Sequence, residues 1–212
     1  SYWTLHKAIN TKYDKNTVPI VYFYIISDCK KGLPNYMKDT VAQAVETQSS
    51  IVYFISNFNK CRKLGHDIGI GYPQAAVLID YEELKSSRTN YFLNACMNIL
   101  GSDGLWASSA IRFFALHDLM VSLGWKNLVH VEGDNLLYHD LSLEAIPAMI
   151  ANYKSLAATM LSGSFVTASI FWVSSPQSLD RLNAWLVSLT NETGVEFKEF
   201  LTWLRPKACC LS

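Results

Sequence analysis

Two carboxylates one residue apart, Glu132 and Asp134, stand in the segment His130-Val131-Glu132-Gly133-Asp134-Asn135-Leu136-Leu137-Tyr138. They follow an apolar stretch, residues 127 to 131, that reads as a short buried strand. Side chains alternate along a strand, so 132 and 134 are expected on one face. Mg²⁺ or Mn²⁺ takes hard oxygen ligands and keeps several waters, so one or two carboxylates suffice when phosphate oxygens complete the shell. Glu132 and Asp134 are therefore candidate metal residues at a place where a cation and a diphosphate would meet. Gly133-Asp134-Asn135 also spells a turn, because these residue types are favoured where a chain reverses. Taken alone, the triplet means a turn more often than a metal site.

A sheet is needed to position such residues, and the apolar pattern supplies one. Residues 20 to 26, Ile-Val-Tyr-Phe-Tyr-Ile-Ile, form an unbroken run of the kind buried on both faces of a parallel sheet, within a strand expected over 19 to 27. Met37, Val41, Ala44 and Val45 fall at helical spacing, and residues 51 to 55 make a second strand, giving a βαβ unit. Residues 58 to 75 read as a long polar loop. Residues 76 to 79 are left open between strand and helix. Leu93, Cys96, Met97 and Leu100 share a helical stripe ended by Gly101. Phe113, Leu116, Met120 and Leu123 form the buried face of a further helix that Gly124 is placed to stop.

Beyond the triplet, Ile146, Met149, Ile150, Tyr153, Ala157 and Met160 trace a helix, and residues 165 to 173 an apolar strand. Ser175 before Pro176 makes an N-cap and first-turn pair, after which Leu179, Leu182, Leu186 and Leu189 point inward. Residues 195 to 204 are expected as a last helix. One α/β domain over residues 1 to 212 is the economical reading. In open α/β sheets ligands bind outside the carboxyl ends of the strands. That selects Ser27 and Asp28 after the first strand, Asn57 after the second, and Glu132 with Asp134 after the third, although ordinary turn chemistry also explains Ser27, Asp28 and Asn57.

Composition bounds the rest. Of 212 residues 50% are apolar, enough for a sizeable core, and 18 basic residues balance 18 acidic ones, so no global field draws the protein to nucleic acid or anionic lipid. The five cysteines, Cys29, Cys61, Cys96, Cys209 and Cys210, show no framework or metal spacing and read as reduced thiols, hence a cytoplasmic location. Neither a signal peptide nor an uninterrupted apolar stretch of ~18 residues is visible, so no membrane span is expected.

The order of these signals resembles the GT-A glycosyltransferases: a first strand ending in Ser-Asp, a second ending in Ser-Asn, an Arg-bearing amphipathic helix from Ser109, then an acid-x-acid signature. The resemblance covers roughly residues 19 to 190 as pattern order. More narrowly, it is to the N-terminal glycosyltransferase domains of large chlorella-virus proteins that build capsid glycans, which would mean host cytoplasm and further domains on the same polypeptide. It implies a Rossmann-like, mixed but mainly parallel sheet and transfer of a hexose or deoxyhexose from a UDP-sugar donor to a hydroxyl of a glycan acceptor, with Mn²⁺ or Mg²⁺. On that pattern Asp134 binds the metal and Glu132 touches ribose, sugar or a metal-bound water. Ser27, Asp28 and Asn57 contact the nucleotide, and Arg112 faces the donor sugar or diphosphate. Arg62 and Lys63 are candidates for added phosphate contacts. The plain reading of Arg112 is an ion pair with Asp118 or Asp103, and that of Arg62 and Lys63 a solvated face.

The pattern departs from the family where Glu132 replaces the usual Asp, and where no histidine follows His139 to serve as a late metal ligand. His130, on a buried strand, reads as core before ligand. His139 and Asp140 are expected to cap or lead into a helix. Trp172, Trp185 and Trp203 read as core more than as a sugar platform. Asp180, Glu192 and Asp140 are open as general base, and residues 58 to 75 and 101 to 109 as acceptor contacts. Two alternatives stand beside a transferase. A sugar nucleotidyltransferase would need a glycine-rich basic loop after the first strand, where residues 27 to 32 hold one glycine. A catalytically silent glycan-binding or nucleotide-sugar-binding module would keep the fold without the activity.

Overall fold

The computed structural model describes residues 17–65, 76–100, 104–141, 155–162 and 165–191. Among these, strands β1 (Ile20–Phe23), β2 (Val52–Ser56), β3 (Ala76–Asp80), β4 (Leu128–Val131), β5 (Leu156–Ser162) and β6 (Phe165–Val173) form one sheet in the order β3-β2-β1-β4-β6-β5. The first four pair in parallel, and β6 runs antiparallel to both β4 and β5. The helices are α1 (Asn35–Thr47), α2 (Phe58–Lys63), α3 (Tyr81–Leu84), α4 (Ser87–Leu100), α5 (Gly104–Leu123) and α6 (Pro176–Asn191).

Strand alternation divides the core into two. Ile20, Tyr22, Val52, Phe54, Val129 and Val131 face Met37, Val41 and Ala44 of α1 and Phe58 and Cys61 of α2. Val21, Phe23, Tyr53, Ile55 and Leu128 face Tyr81 and Leu84 of α3, Ile111, Leu116 and Met120 of α5, and Leu179 of α6. Strands buried on both faces read as continuous apolar runs, which is why β1 and β2 were visible as such. The mixed sheet agrees with the expected α/β architecture.

Three elements match the sequence reading closely. Residues 165 to 173 are β6, Ser175 Oγ accepts from Ser178 N–H (3.3 Å) at the start of α6, and Gly124 (φ +66°) ends α5. There Trp125 N–H reaches back to Met120 O (2.9 Å), the six-to-one bond of a glycine-terminated helix.

Four expectations are corrected. The first strand stops at Phe23, because Ile26 is bonded to a side chain of the next crossover and not to a neighbouring strand. Residues 58 to 63 are helical, not loop, and 76 to 80 are a strand. Ala157 and Met160 lie on β5, paired with Trp172 and Val166, so the helix traced through them does not extend that far; its residues 146 to 153 fall outside the described ones. Cys29 and Cys61 form a disulfide with Cα atoms 5.1 Å apart, contrary to the reading of reduced thiols. The helix expected over 195 to 204, with Trp203, Glu192, Cys209 and Cys210, also lies outside the described residues.

Candidate functional site

β1 feeds β2 and β3 to one side, while β4 lies on the other side of β1. This reversal leaves a crevice at the carboxyl ends of β1 and β4, the place where α/β sheets take ligands. A cavity of about 990 Å³ opens there. Tyr24, Ile25 and Ser27 line it from the exit of β1, Asn57 and Lys60 from that of β2, and Tyr81, Glu82 and Lys85 from that of β3. Ser109 and Arg112 come from α5, and Glu132, Gly133 and Asp134 from the exit of β4.

The acidic triplet is a turn as well as a cavity wall. Glu132 N–H still bonds across the sheet to Ser169 O (2.8 Å), and Asn135 N–H closes on Glu132 O (3.1 Å). Strand alternation therefore ends at 132, and the two carboxylates do not share one environment. Glu132 is half-buried and ion-paired with Arg112 Nη1, while Asp134 is exposed and, among the described residues, accepts from Asn135 Nδ2 (2.8 Å). Gly133 is required by close approach: a Cβ there would stand 1.6 Å from Met37 Sδ on α1. After the turn, Gln43 and Gln48 of the α1 crossover hold the chain. Leu137 N–H donates to Gln43 Oε1 (2.9 Å), Leu141 N–H to Gln48 Oε1 (2.7 Å), and Gln48 Nε2 to His139 O (2.8 Å).

Arg112 enters from a little over two turns inside α5. Its Nε donates to Ser109 O (2.7 Å), and Cζ lies 5.6 Å from the Phe113 ring centre. The expected partner Asp118 is used elsewhere, accepting from Ser86 N–H (3.2 Å) and Thr89 Oγ1 (2.9 Å). Below the pair His130 is fully buried, with Nδ1 3.0 Å from Val21 O. A carbonyl only accepts, so the proton sits on Nδ1. Burial foremost, and the Arg112 charge next, push its pKa down to about 3. His130 is thus a neutral core residue, as its strand position suggested.

Ser27 is exposed on the cavity wall. Asp28 is a turn residue outside it: Oδ1 accepts from Lys30 N–H (2.9 Å), and its carbonyl from Lys31 and Gly32. Asn57 lines the cavity, yet its amide is committed to Ile26. Arg62 is exposed on α2 and does not line the cavity, and Lys60 of the same helix does. Asp140 accepts from Ser49 N–H (3.0 Å) and Asp180 pairs with Arg88, both away from the cavity wall. Trp172 is half-buried against the core and Trp185 is 51% exposed, and neither lines the cavity.

Sequence reasoning did not single out Lys60, Tyr81, Glu82 or Lys85. Tyr81 follows β3 directly and its hydroxyl is buried without a hydrogen-bond partner among the described residues. Lys85 pairs with Glu82 (2.7 Å) and sits 5.1 Å from the Tyr81 ring centre. Asp80, at the end of β3, is also structural: it accepts from Asn59 N–H and Glu82 N–H (2.9 Å), tying α2 to α3, and burial raises its pKa. The signal that would have found these residues is the strand identity of 76 to 80.

Among the described residues no three His, Cys, Asp or Glu side chains converge on a point that would hold a metal ion. The exposed Asp134 carboxylate is a hard oxygen donor of the kind Mg²⁺ or Mn²⁺ would take, and it could hold such an ion only with ligands from outside the chain. No helix among the described residues is long and apolar enough to cross a membrane. Disulfides persist in oxidising compartments and are rare in the cytosol, so the cytoplasmic expectation built on free thiols loses its ground.

Against solved structures, the chain is similar to mouse xyloside xylosyltransferase 1 in its apo form, with a TM-score of 0.51 at 9% identity over 82% of this chain and 75% of that one. It is similar to the PaToxG glycosyltransferase with a TM-score of 0.54 at 9% identity, over 91% of this chain and 70% of that one. No protein-family model and no curated protein sequence matches. At such identity the likeness establishes the fold, which is the GT-A type.

Proposed function

We propose that the chain is a glycosyltransferase that moves a hexose or deoxyhexose from a UDP-sugar to a hydroxyl of a glycan acceptor. The observation that carries this reading is the cavity of about 990 Å³ at the β1/β4 reversal, whose wall carries Arg112, Lys60 and Lys85 together with the exposed carboxylate of Asp134. The shared GT-A fold with two glycosyltransferases supports it.

In the reaction the bond between the sugar and the diphosphate breaks, a new bond forms to the acceptor oxygen, and the acceptor loses its proton. Negative charge grows on the departing diphosphate, and preorganised positive groups on the cavity wall stabilise it as it develops. Arg112 supplies such a group with donors in a planar fork, and Lys60 supplies a mobile point charge. Asp134 would hold Mn²⁺ or Mg²⁺, which adds Lewis-acid stabilisation of the leaving group. Ser27 and Tyr24 on the wall are left for the nucleoside. Further domains of the same polypeptide, in the manner of viral glycan-building proteins, belong to this proposal too.

The test is thermal denaturation with a panel of nucleotide sugars, with and without Mn²⁺, alongside donor hydrolysis. A UDP-sugar at ~100 times its dissociation constant should add about 2.7 kcal/mol, with metal only, and Asp134→Ala should remove the effect. An unchanged melting curve across the panel would leave a silent glycan-binding module.

A further inference from the structure

We infer that Glu132 positions Arg112 and is not a ligand of the cation, so that Asp134 is the one carboxylate of the Glu-Gly-Asp turn to meet the metal. The inference rests on the donor-site reading above and divides the labour within it. The backbone sends the two side chains to different places. Glu132 is still held in the β4–β6 ladder by its bond to Ser169 O (2.8 Å), which keeps its side chain on the α5 face. Gly133 then lies against Met37 on the opposite face, and the turn closed by Asn135 carries Asp134 into solvent.

Arg112 is gripped from two sides. Glu132 Oε1 takes Nη1, and Ser109 O takes Nε at 2.7 Å. The side chains are only 15% and 30% exposed, where an ion pair is screened less than on the open surface. If Glu132 turned to a divalent cation, it would strip the guanidinium of its counter-charge and set two like charges around one carboxylate. Asp134 carries no such conflict, since its partner is a neutral amide. Among the described residues two of the guanidinium's five N–H donors are engaged, and the others point the arm's remaining capacity to an anion in the cavity. Glu132 thus makes an orienting strut, and the extra methylene relative to Asp gives it the reach to α5.

Mn²⁺ uptake by the whole chain is measured from loss of the free-ion paramagnetic resonance signal in saturating uridine diphosphate, and nucleotide affinity by calorimetry. Asp134→Asn is expected to weaken Mn²⁺ binding about ten-fold or more, and Glu132→Gln to leave it within about two-fold of the parent. Arg112→Gln should weaken uridine diphosphate binding about ten-fold in the parent and about three-fold or less after Glu132→Gln, because the arm is already unheld. A purely structural Glu132 would not make the two effects depend on each other. Loss of Mn²⁺ affinity on Glu132→Gln equal to that on Asp134→Asn would overturn the assignment, as would equal Arg112→Gln effects in both backgrounds. A parent that takes up neither Mn²⁺ nor nucleotide would overturn the donor-site reading itself, a distinct result.

Discussion

Asn57 and Ile26 close a two-bond ring: Ile26 N–H donates to Asn57 Oδ1 at 2.7 Å, and Asn57 Nδ2 donates to Ile26 O at 3.0 Å. A side chain here does for β1's exit what a neighbouring strand does for β1 itself. Asn57→Ala should orphan both backbone groups and cost about 1–3 kcal/mol, read from the urea midpoint at unchanged slope. Asn57→Asp retains the acceptor but sets a second oxygen against Ile26 O, and should be no better than alanine. A neutral Asn57→Ala would show that the ring does not hold the cavity wall.

Gly133→Ala is expected to destabilise by about 1–3 kcal/mol, because the new methyl would occupy the place of the Met37 thioether. Met37→Ala alone opens a core cavity and should cost about 2–5 kcal/mol. In the double variant the methyl fills space the thioether has left, so the combined loss should fall short of the sum. Strict additivity in a denaturation cycle would mean that the contact is unimportant.

The Cys29–Cys61 link joins the loop bearing Ser27 to the helix bearing Lys60, closing 32 residues of sequence separation. A loop of that size corresponds to about 3–4 kcal/mol in the chain-entropy model. Reductant should lower the melting temperature, and the Cys29→Ser, Cys61→Ser double variant should melt low and ignore reductant. Titration of all five cysteines as free thiols in the unreduced, denatured chain would show that the bond is absent.

Stability should fall on acidification from about pH 6.5 toward 3. His130 is held neutral in the fold with its pKa lowered to about 3, while the unfolded chain protonates it near 6.5, so the unfolded state binds more protons throughout that window. One such proton gives a slope of about 1.4 kcal/mol per pH unit. Asp80 acts in the opposite sense: burial raises its pKa, so its contribution is present below the usual 3.8 and lost as pH rises through the raised value. His130→Gln can keep the bond to Val21 O without titrating. Its stability-against-pH curve should be flatter between about pH 4 and 6.5, and an unaltered slope would contradict the buried neutral histidine.

Much of the scaffold was legible because it follows from local periodicity. β6, the Gly124 stop of α5 and the Ser175 cap of α6 depend on residues within one turn or strand of each other. β5 was hidden because Ala157 and Met160 are spaced like a helix face, and only pairing with Trp172 and Val166 makes that stretch extended. The candidate site was legible to the extent that strand ends announce it: Ser27, Asn57, Glu132 and Asp134 line the cavity and Arg112 reaches it, whereas Asp28 and Arg62 do not. Lys60, Tyr81, Glu82 and Lys85 carry no motif and went unseen.

From the chain alone came an α/β protein with carboxylates at a strand exit, because apolar alternation and turn residues act over short range. What the third dimension decided is who meets whom. Glu132 joins Arg112 twenty positions earlier, Cys29 joins Cys61, and Asp134 is left facing solvent. Charge and sulfur carry no direction along a sequence. Their partners are chosen only when the sheet brings distant segments within a few ångströms.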